Sequence, residues 1–179
     1  MGIREDMPLL ARHEGVWDGT YTYFNAANEK VDEHHSRLLC RFPDSGPSPY
    51  HQTNWYTWAD GRTDIRDFPA EYRDKRVWWD NDLIQGSAWE VGEDGHNRSV
   101  MLYWQRTGDP SLYLYEMIQL ADNGVDRCRT WHWIRNGLLE TRTAIQEKLV
   151  TRDWRAVEAA MGSAAMGSAA MGSAEMAAG

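Results

Sequence analysis

Polar and apolar residues alternate in short stretches along most of the chain, and turn residues rather than helix caps bound those stretches. The alternation predicts strands over Val16 to Phe24, His34 to Phe42, Tyr50 to Trp58, Arg62 to Phe68, Leu83 to Val91, Ser99 to Arg106, Leu112 to Leu120, Arg127 to Arg135 and Leu138 to Glu147. A short aromatic run, Val77 to Trp79, is set off from Ala70 to Tyr72 by Arg73-Asp74-Lys75. Four Asx-Gly pairs, Asp60-Gly61, Asp94-Gly95, Asn123-Gly124 and Asn136-Gly137, punctuate the pattern. A type I′ turn needs positive φ at both central residues, which Asn or Asp followed by Gly adopts at little cost. Every connection is too short for a crossover helix, so neighbours in sequence pair antiparallel. A meander of about ten strands sheds its exposed edges by closing, which predicts an all-β, closed up-and-down antiparallel barrel.

Two other segments complete the organisation. Pro8 to His13 reads as a short N-terminal helix with Asp6 as N-cap, ended by Gly15. From Ala159 the composition becomes a five-residue repeat of Ala, Met, Gly and Ser, whose methionines form no stripe on a helix. The division expected is a barrel domain over 1–150 and a low-complexity tail over 151–179, flexible or partly helical.

Two-residue turns fix register, and register decides which side chains share a face. With Asn136-Gly137 as a loop, Ile134 faces Leu139, His132 faces Thr141 and Thr130 faces Thr143. The same arithmetic through Asn123-Gly124 places Tyr113 by Ile134, Tyr115 by His132 and Met117 by Thr130. Taking Thr107 to Pro110 as the preceding loop adds Trp104 and Leu102 to that face. The opposite face mixes Leu114, Glu116, Ile118, Trp131 and Trp133 with Arg127, Arg129, Arg135, Glu140 and Arg142. Six charged residues across three strands are costly to bury without complete pairing, so the first face is assigned to the interior. Should the faces be reversed, Glu116, Arg129 and Arg142 become an internal acid and its clamp. In the earlier hairpin, Asp60-Gly61 sets Tyr56 by Ile65 and Asn54 by Asp67, with Gln52, Asn54, Tyr56 and Trp58 facing inward.

The chain has 179 residues, 42% of them hydrophobic, which suits one domain with a real core. Ten Trp and eight Tyr against three Phe favour surfaces that are partly wet. A net charge of −8 argues against nucleic acid as a partner. No apolar stretch is long enough to span a bilayer, and the start lacks a secretory h-region, so a cytoplasmic protein without a membrane partner is expected. Cys40 and Cys128 have neither metal-site nor disulfide spacing and read as small buried hydrophobes.

Gly15-Val16-Trp17, at the entry to the first strand after a short helix, followed by ten meandering strands, resembles the calycin superfamily, the lipocalin and fatty-acid-binding-protein type of barrel. There is also a similarity to small uncharacterised bacterial proteins of calycin type. In that superfamily the Trp closes one end of the barrel and packs against an Arg late in the chain, for which the resemblance implies Arg142 or Arg129. Its haem-binding branch, the nitrobindins, uses a His near the end of the chain. Leu138 to Glu147 contains none, so haem is not implied.

His132 stands out chemically, because an imidazole beside the phenol of Tyr115 can move a proton near neutral pH. Adjacent His34 and His35 point to opposite faces of a strand and make no metal site. No Gly-rich phosphate loop and no nucleophile elbow occurs, so no cofactor is expected. The expected function is binding of a small hydrophobic or aromatic molecule inside the barrel, with Asn54, Tyr56, Trp104, Tyr113, Met117, Thr130 and Thr141 as contacts. The alternative is a cofactor-independent lyase, isomerase or hydratase with His132 and Tyr115 as acid and base. A third reading makes the barrel an interaction module with a filled core, and a homodimer is compatible with each.

Overall fold

The computed structural model describes residues 2–92 and 94–161, and in it ten antiparallel strands close into one barrel. The strands are β1 (Gly15–Asn25), β2 (Lys30–Arg41), β3 (Tyr50–Thr57), β4 (Thr63–Arg73), β5 (Arg76–Asp80), β6 (Ile84–Glu90), β7 (Ser99–Arg106), β8 (Asp109–Leu120), β9 (Asp126–Arg135) and β10 (Leu138–Thr151). Each pairs with the next in sequence, and β1 closes the barrel on β10. Asn136 and Gly137 carry φ of 52° and 79°, the left-handed pair that a type I′ turn requires. Asp74 and Lys75, at 54° and 56°, adopt the same pair between β4 and β5 without a glycine.

Register departs from the turn arithmetic at three places, and each departure is one residue. The loop at Asp60-Gly61 has three residues, because the Trp58 N–H donates to the Arg62 carbonyl at 3.0 Å and only Gly61, at φ 87°, is left-handed. Tyr56 therefore lies opposite Asp64 and Asn54 opposite Arg66. Between β7 and β8 an irregularity after Gln105 sets Trp104 opposite Leu114 and Leu102 opposite Glu116. In β10, Leu139 faces Ile134 as the turn dictates, but a bulge follows, so Thr141 faces Trp133 and Arg142 faces His132. Since side chains alternate with period two, a one-residue slip moves a residue to the other face.

The interior face of β8 and β9 is the opposite of the one expected, although their mutual register is as the turn predicts, and the β10 slip brings Glu147 to that face. Leu114, Glu116, Leu120, Arg127, Arg129 and Trp131 are buried, while Tyr115 and Met117 are 46% and 38% exposed. His132 and Thr130 are exposed with them, and Tyr113 lies on the same outer surface, its ring 5.9 Å from that of Tyr115. Cys40 is buried, but Cys128 shares this outer face and is exposed.

The predicted N-terminal helix is two turns, α1 (Ile3–Asp6) and α2 (Pro8–Ala11). Met7 breaks them at φ −130°, ψ 67°, as the ring of Pro8 disfavours a helical residue before it. Met7 rather than Asp6 caps α2, and the Asp6 carboxylate accepts the Tyr72 hydroxyl instead. Met7, Leu9 and Leu10 pack into the core with Trp17 and Phe42. Regular structure also continues beyond residue 150. A last helix, α3 (residues 154–161), lays Trp154 over Val16 and Leu39 on the outside of the sheet, and the Trp154 indole donates to Glu14 at 2.8 Å. The rest of the predicted tail, 162–179, lies outside the described residues.

Gly86 marks a close approach between β6 and β7, where a Cβ would meet the Tyr103 carbonyl oxygen and Trp104. Gly86→Ala is expected to lower unfolding stability by about 1–3 kcal/mol, the cost of overpacking, as read from urea denaturation. An unchanged midpoint would contradict this close approach.

Candidate functional site

Two arginines and two glutamates that the period-two pattern puts inside are paired with one another. Arg127 holds Glu147, and Arg129 holds Glu116 while lying 3.2 Å from Glu147 as well. The Tyr21 hydroxyl donates to Glu147 at 3.2 Å and accepts from Arg129 at 2.9 Å. Burial pushes the Glu147 carboxyl up, but Arg127, Arg129 and these hydrogen bonds outweigh it and hold it below the usual carboxylate range. Gly19 lies opposite Glu147 and leaves it room, since a Cβ there would meet the Glu147 side chain.

Trp17, fully buried, donates its indole N–H to the His13 carbonyl at 2.9 Å, and the Arg127 guanidinium lies 4.2 Å over its ring. The Trp and late-chain Arg pair implied by resemblance is thus Trp17 with Arg127, not Arg129 or Arg142. Arg142 follows the β10 bulge to the outside and reaches Asn28 at 3.5 Å. His13 accepts from Arg127 at its Nδ1, 3.3 Å away, which puts the ring proton on Nε2. Burial first, and Arg127 and Arg129 second, hold the His13 pKa well below its ordinary value, so the cluster is two cations against two anions.

Next to this cluster lies an open-mouthed cavity of about 320 Å³, within the range of small-molecule pockets. Asn54, Tyr56 and Trp104 line it, as do Glu116 and Arg129. Thr141 shares the side of Trp133 but is not among the lining residues. His132, Tyr115, Tyr113, Met117 and Thr130 are not brought to it: they pair with one another as the turn predicts, but the face they share is the outer one, because the opposite face buries Leu114, Glu116, Arg129 and Trp131.

The structure places His34 there instead. Its side chain is 4% exposed, and its Nδ1 lies 3.2 Å from Asp32 Oδ2. A carboxylate only accepts, so Nδ1 carries the proton and Nε2 is left as an acceptor. Asp32 is fixed in turn by the Trp58 indole N–H at 3.1 Å. Burial lowers the His34 pKa more than Asp32 raises it, so the ring is neutral at pH 7. The rings of Trp58, Tyr56 and Tyr21 surround it with centroids 4.6, 5.1 and 5.3 Å away. His34 Nε2 has no hydrogen-bond partner among the described residues, and neither do the indole nitrogens of Trp131 and Trp133. All three residues line the cavity. The sequence carried a signal for His34: it shares the period-two face of Leu38 and Cys40, which are apolar and buried.

Fold and cavity together define a calycin-like barrel with an aromatic interior and a small set of free polar groups. No family model and no curated protein matches the chain. Among solved structures it is similar to a protein of unknown function of the DUF3598 family from Nostoc punctiforme, at 14% identity and a TM-score of 0.61. That match covers 79% of this chain and 49% of the other, so the chain spans about half the length of the Nostoc protein. It is also similar to the S-type phycobiliprotein lyase CPES from Guillardia theta, at 15% identity and a TM-score of 0.61, over 84% of this chain and 94% of that one. At these identities the likeness establishes the fold.

The His13 environment sets a pH dependence. His13 is neutral when folded and titrates near 6.5 when unfolded, so the unfolded chain binds the extra proton and stability falls below about pH 6.5. His13→Gln is expected to flatten the slope of unfolding free energy between about pH 6 and 5 by ~1.4 kcal/mol per pH unit, one proton's worth, in urea melts. A wild-type slope retained in the variant would contradict a buried neutral His13. Glu147, with its lowered pKa, acts in a more acidic window: its contribution is present above the ordinary carboxylate range and is lost as pH falls below that range through its lowered pKa.

Proposed function

We infer that the barrel binds a small, flat, conjugated molecule in its cavity. The observation that carries this reading is the trio of partnerless nitrogens in a wall rich in aromatic and aliphatic side chains, where Glu116, Arg129 and Asn54 already have partners within the protein. A buried polar group without a partner costs about 1–3 kcal/mol, and a ligand that supplies the partner recovers it. The two indoles donate and His34 Nε2 accepts, so the complementary ligand carries both a carbonyl-type acceptor and an N–H or O–H donor. Tyr56 and Trp104 offer it ring faces, and Asn54 adds a polar contact on the β3 wall. The likeness to a phycobiliprotein lyase supports a bilin-like molecule, which has this combination of a conjugated body, lactam carbonyls and N–H groups.

A second reading is favoured by the Asp32–His34 pair. A neutral imidazole oriented by a carboxylate, with a free Nε2 at a cavity wall, is the arrangement of a general base. In a cofactor-independent isomerase or lyase, His34 would take the proton that the expected His132 and Tyr115 pair, now on the outside, cannot reach.

N-phenylnaphthylamine, a neutral fluorescent ring system, tests the binding reading. Its fluorescence is expected to rise on titration with a micromolar Kd, and Ala88→Trp, which fills the cavity from β6, is expected to weaken binding by at least about tenfold. Tyr115→Ala and His132→Ala should leave the Kd unchanged. Binding that survives Ala88→Trp but fails in the Tyr115 variant would contradict an interior site.

A further inference from the structure

The mouth of the cavity carries two guanidinium groups that face the same space. Arg66 comes from β4, where it lies opposite Asn54 with its guanidinium 5.5 Å from the Tyr56 ring centroid. Arg106 comes from the end of β7, opposite Ile84, and its guanidinium lies 5.6 Å from the Trp104 ring centroid. Both arginines line the cavity, and so do the two rings beneath them. Between them the barrel wall is incomplete, because β5 pairs with β4 only at Glu71, Tyr72 and Arg73, which leaves the β4 edge beside Arg66 and Phe68 without a β5 neighbour.

The charges around the mouth neutralise only one of the two. Asp64 pairs with Arg66 at 2.9 Å. Asp32 is held by Trp58 and His34. Asp109, the acid close enough to favour the Arg106 charge, is held by Arg135 at 3.0 Å and by Ser111. Arg106 makes no ion pair among the described residues. Burial first and the facing Arg66 second disfavour its charge. An uncompensated cation beside another cation, at the entrance to an aromatic cavity and in a chain of net charge −8, is a place where an anion relieves repulsion and desolvation together.

We propose that Arg66 and Arg106 form an anion subsite at the cavity mouth, so that the molecule held inside carries a carboxylate or similar anionic group at its outer end. This rests on the cavity being a binding site and adds the ligand's charge and its orientation, with the ring body inward and the anion at the rim. The anion belongs to the ligand itself. Guanidinium groups suit this role, as each presents a planar fork of donors to two oxygens of a carboxylate or sulfonate.

The probes are anilinonaphthalene sulfonate and N-phenylnaphthylamine, the same ring system without the sulfonate, titrated at one fixed chloride concentration. The variants are the double substitution Arg66→Gln and Arg106→Gln, with Arg73→Gln, outside the cavity over Trp78, as control. The double variant is expected to bind the sulfonate about tenfold more weakly while its affinity for the neutral probe stays within about twofold, which also shows that its cavity is intact. The Arg73 variant should behave as wild type towards both. Unchanged sulfonate affinity in the double variant, an equal loss for both probes, or wild-type binding of the neutral probe alone would each overturn the subsite while leaving the cavity reading in place. Binding of neither probe by the wild type would overturn both.

Discussion

The pairing of Arg127 and Arg129 with Glu116 and Glu147 is the constraint on which the rest of the barrel depends. Removing four charges from water costs several kcal/mol per ion, and the cost is met only when every charge has an opposite neighbour and its remaining donors and acceptors are engaged. Here Arg129 bridges both glutamates, Tyr21 joins Arg129 to Glu147, and Arg127, whose buried Nη2 lacks a hydrogen-bond partner among the described residues, lies over the Trp17 ring. The four side chains come from β8, β9 and β10, and Tyr21 and Trp17 from β1, so the cluster ties the strands on both sides of the closing seam. A one-residue slip of β9 would carry both arginines outward together and strand two buried carboxylates. The pairing therefore fixes register at the point where the barrel closes.

The cavity follows from where that cluster sits. Polar groups that neutralise one another occupy the part of the interior next to Trp17 and His13, and aromatic side chains of β1, β3, β4, β5, β7 and β9 line the cavity beside them. Within it, polar groups divide into two kinds. Glu116 and Arg129 are already engaged with each other. His34, Trp131 and Trp133 keep one nitrogen each without a partner among the described residues. The first kind holds the wall together, and the second is available to a ligand. Asp32 connects them in function by fixing the His34 tautomer, which makes Nε2 an acceptor in a wall whose other free groups donate.

Much of the architecture was legible because turns and alternation are local. The ten strands, their antiparallel order and their closure follow from turn residues and a period of two, and the Asn123-Gly124 and Asn136-Gly137 registers agree with the strand pairs they adjoin, Tyr115 opposite His132 and Leu139 opposite Ile134. The interior was not legible from the same reasoning. A bulge after Leu139, an irregularity after Gln105 and a three-residue loop at Gly61 each shift register by one, and no residue type announces them as Asn-Gly announces a type I′ turn. Burying Glu116, Arg127 and Arg129 on one face is costly only without Glu147, which reaches them from β10 once its register has shifted. Leu114 and Ile118, apolar and interleaved with Glu116, were the sign that this face turns inward. His34 is legible only from the apolar company of Leu38 and Cys40 on its face, since the adjacent His35 points to the other side of the strand.

Whether the face carrying Trp131 and Trp133 surrounds a ligand can be read from the indole N–H signals in a nitrogen-15 correlation spectrum of the labelled protein titrated with N-phenylnaphthylamine. The Trp131 and Trp133 signals are expected to shift on saturation, with that of Trp104 beside them. Shifts confined to Trp55, Trp78 and Trp89, with the interior indoles unmoved, would contradict a ligand on that face.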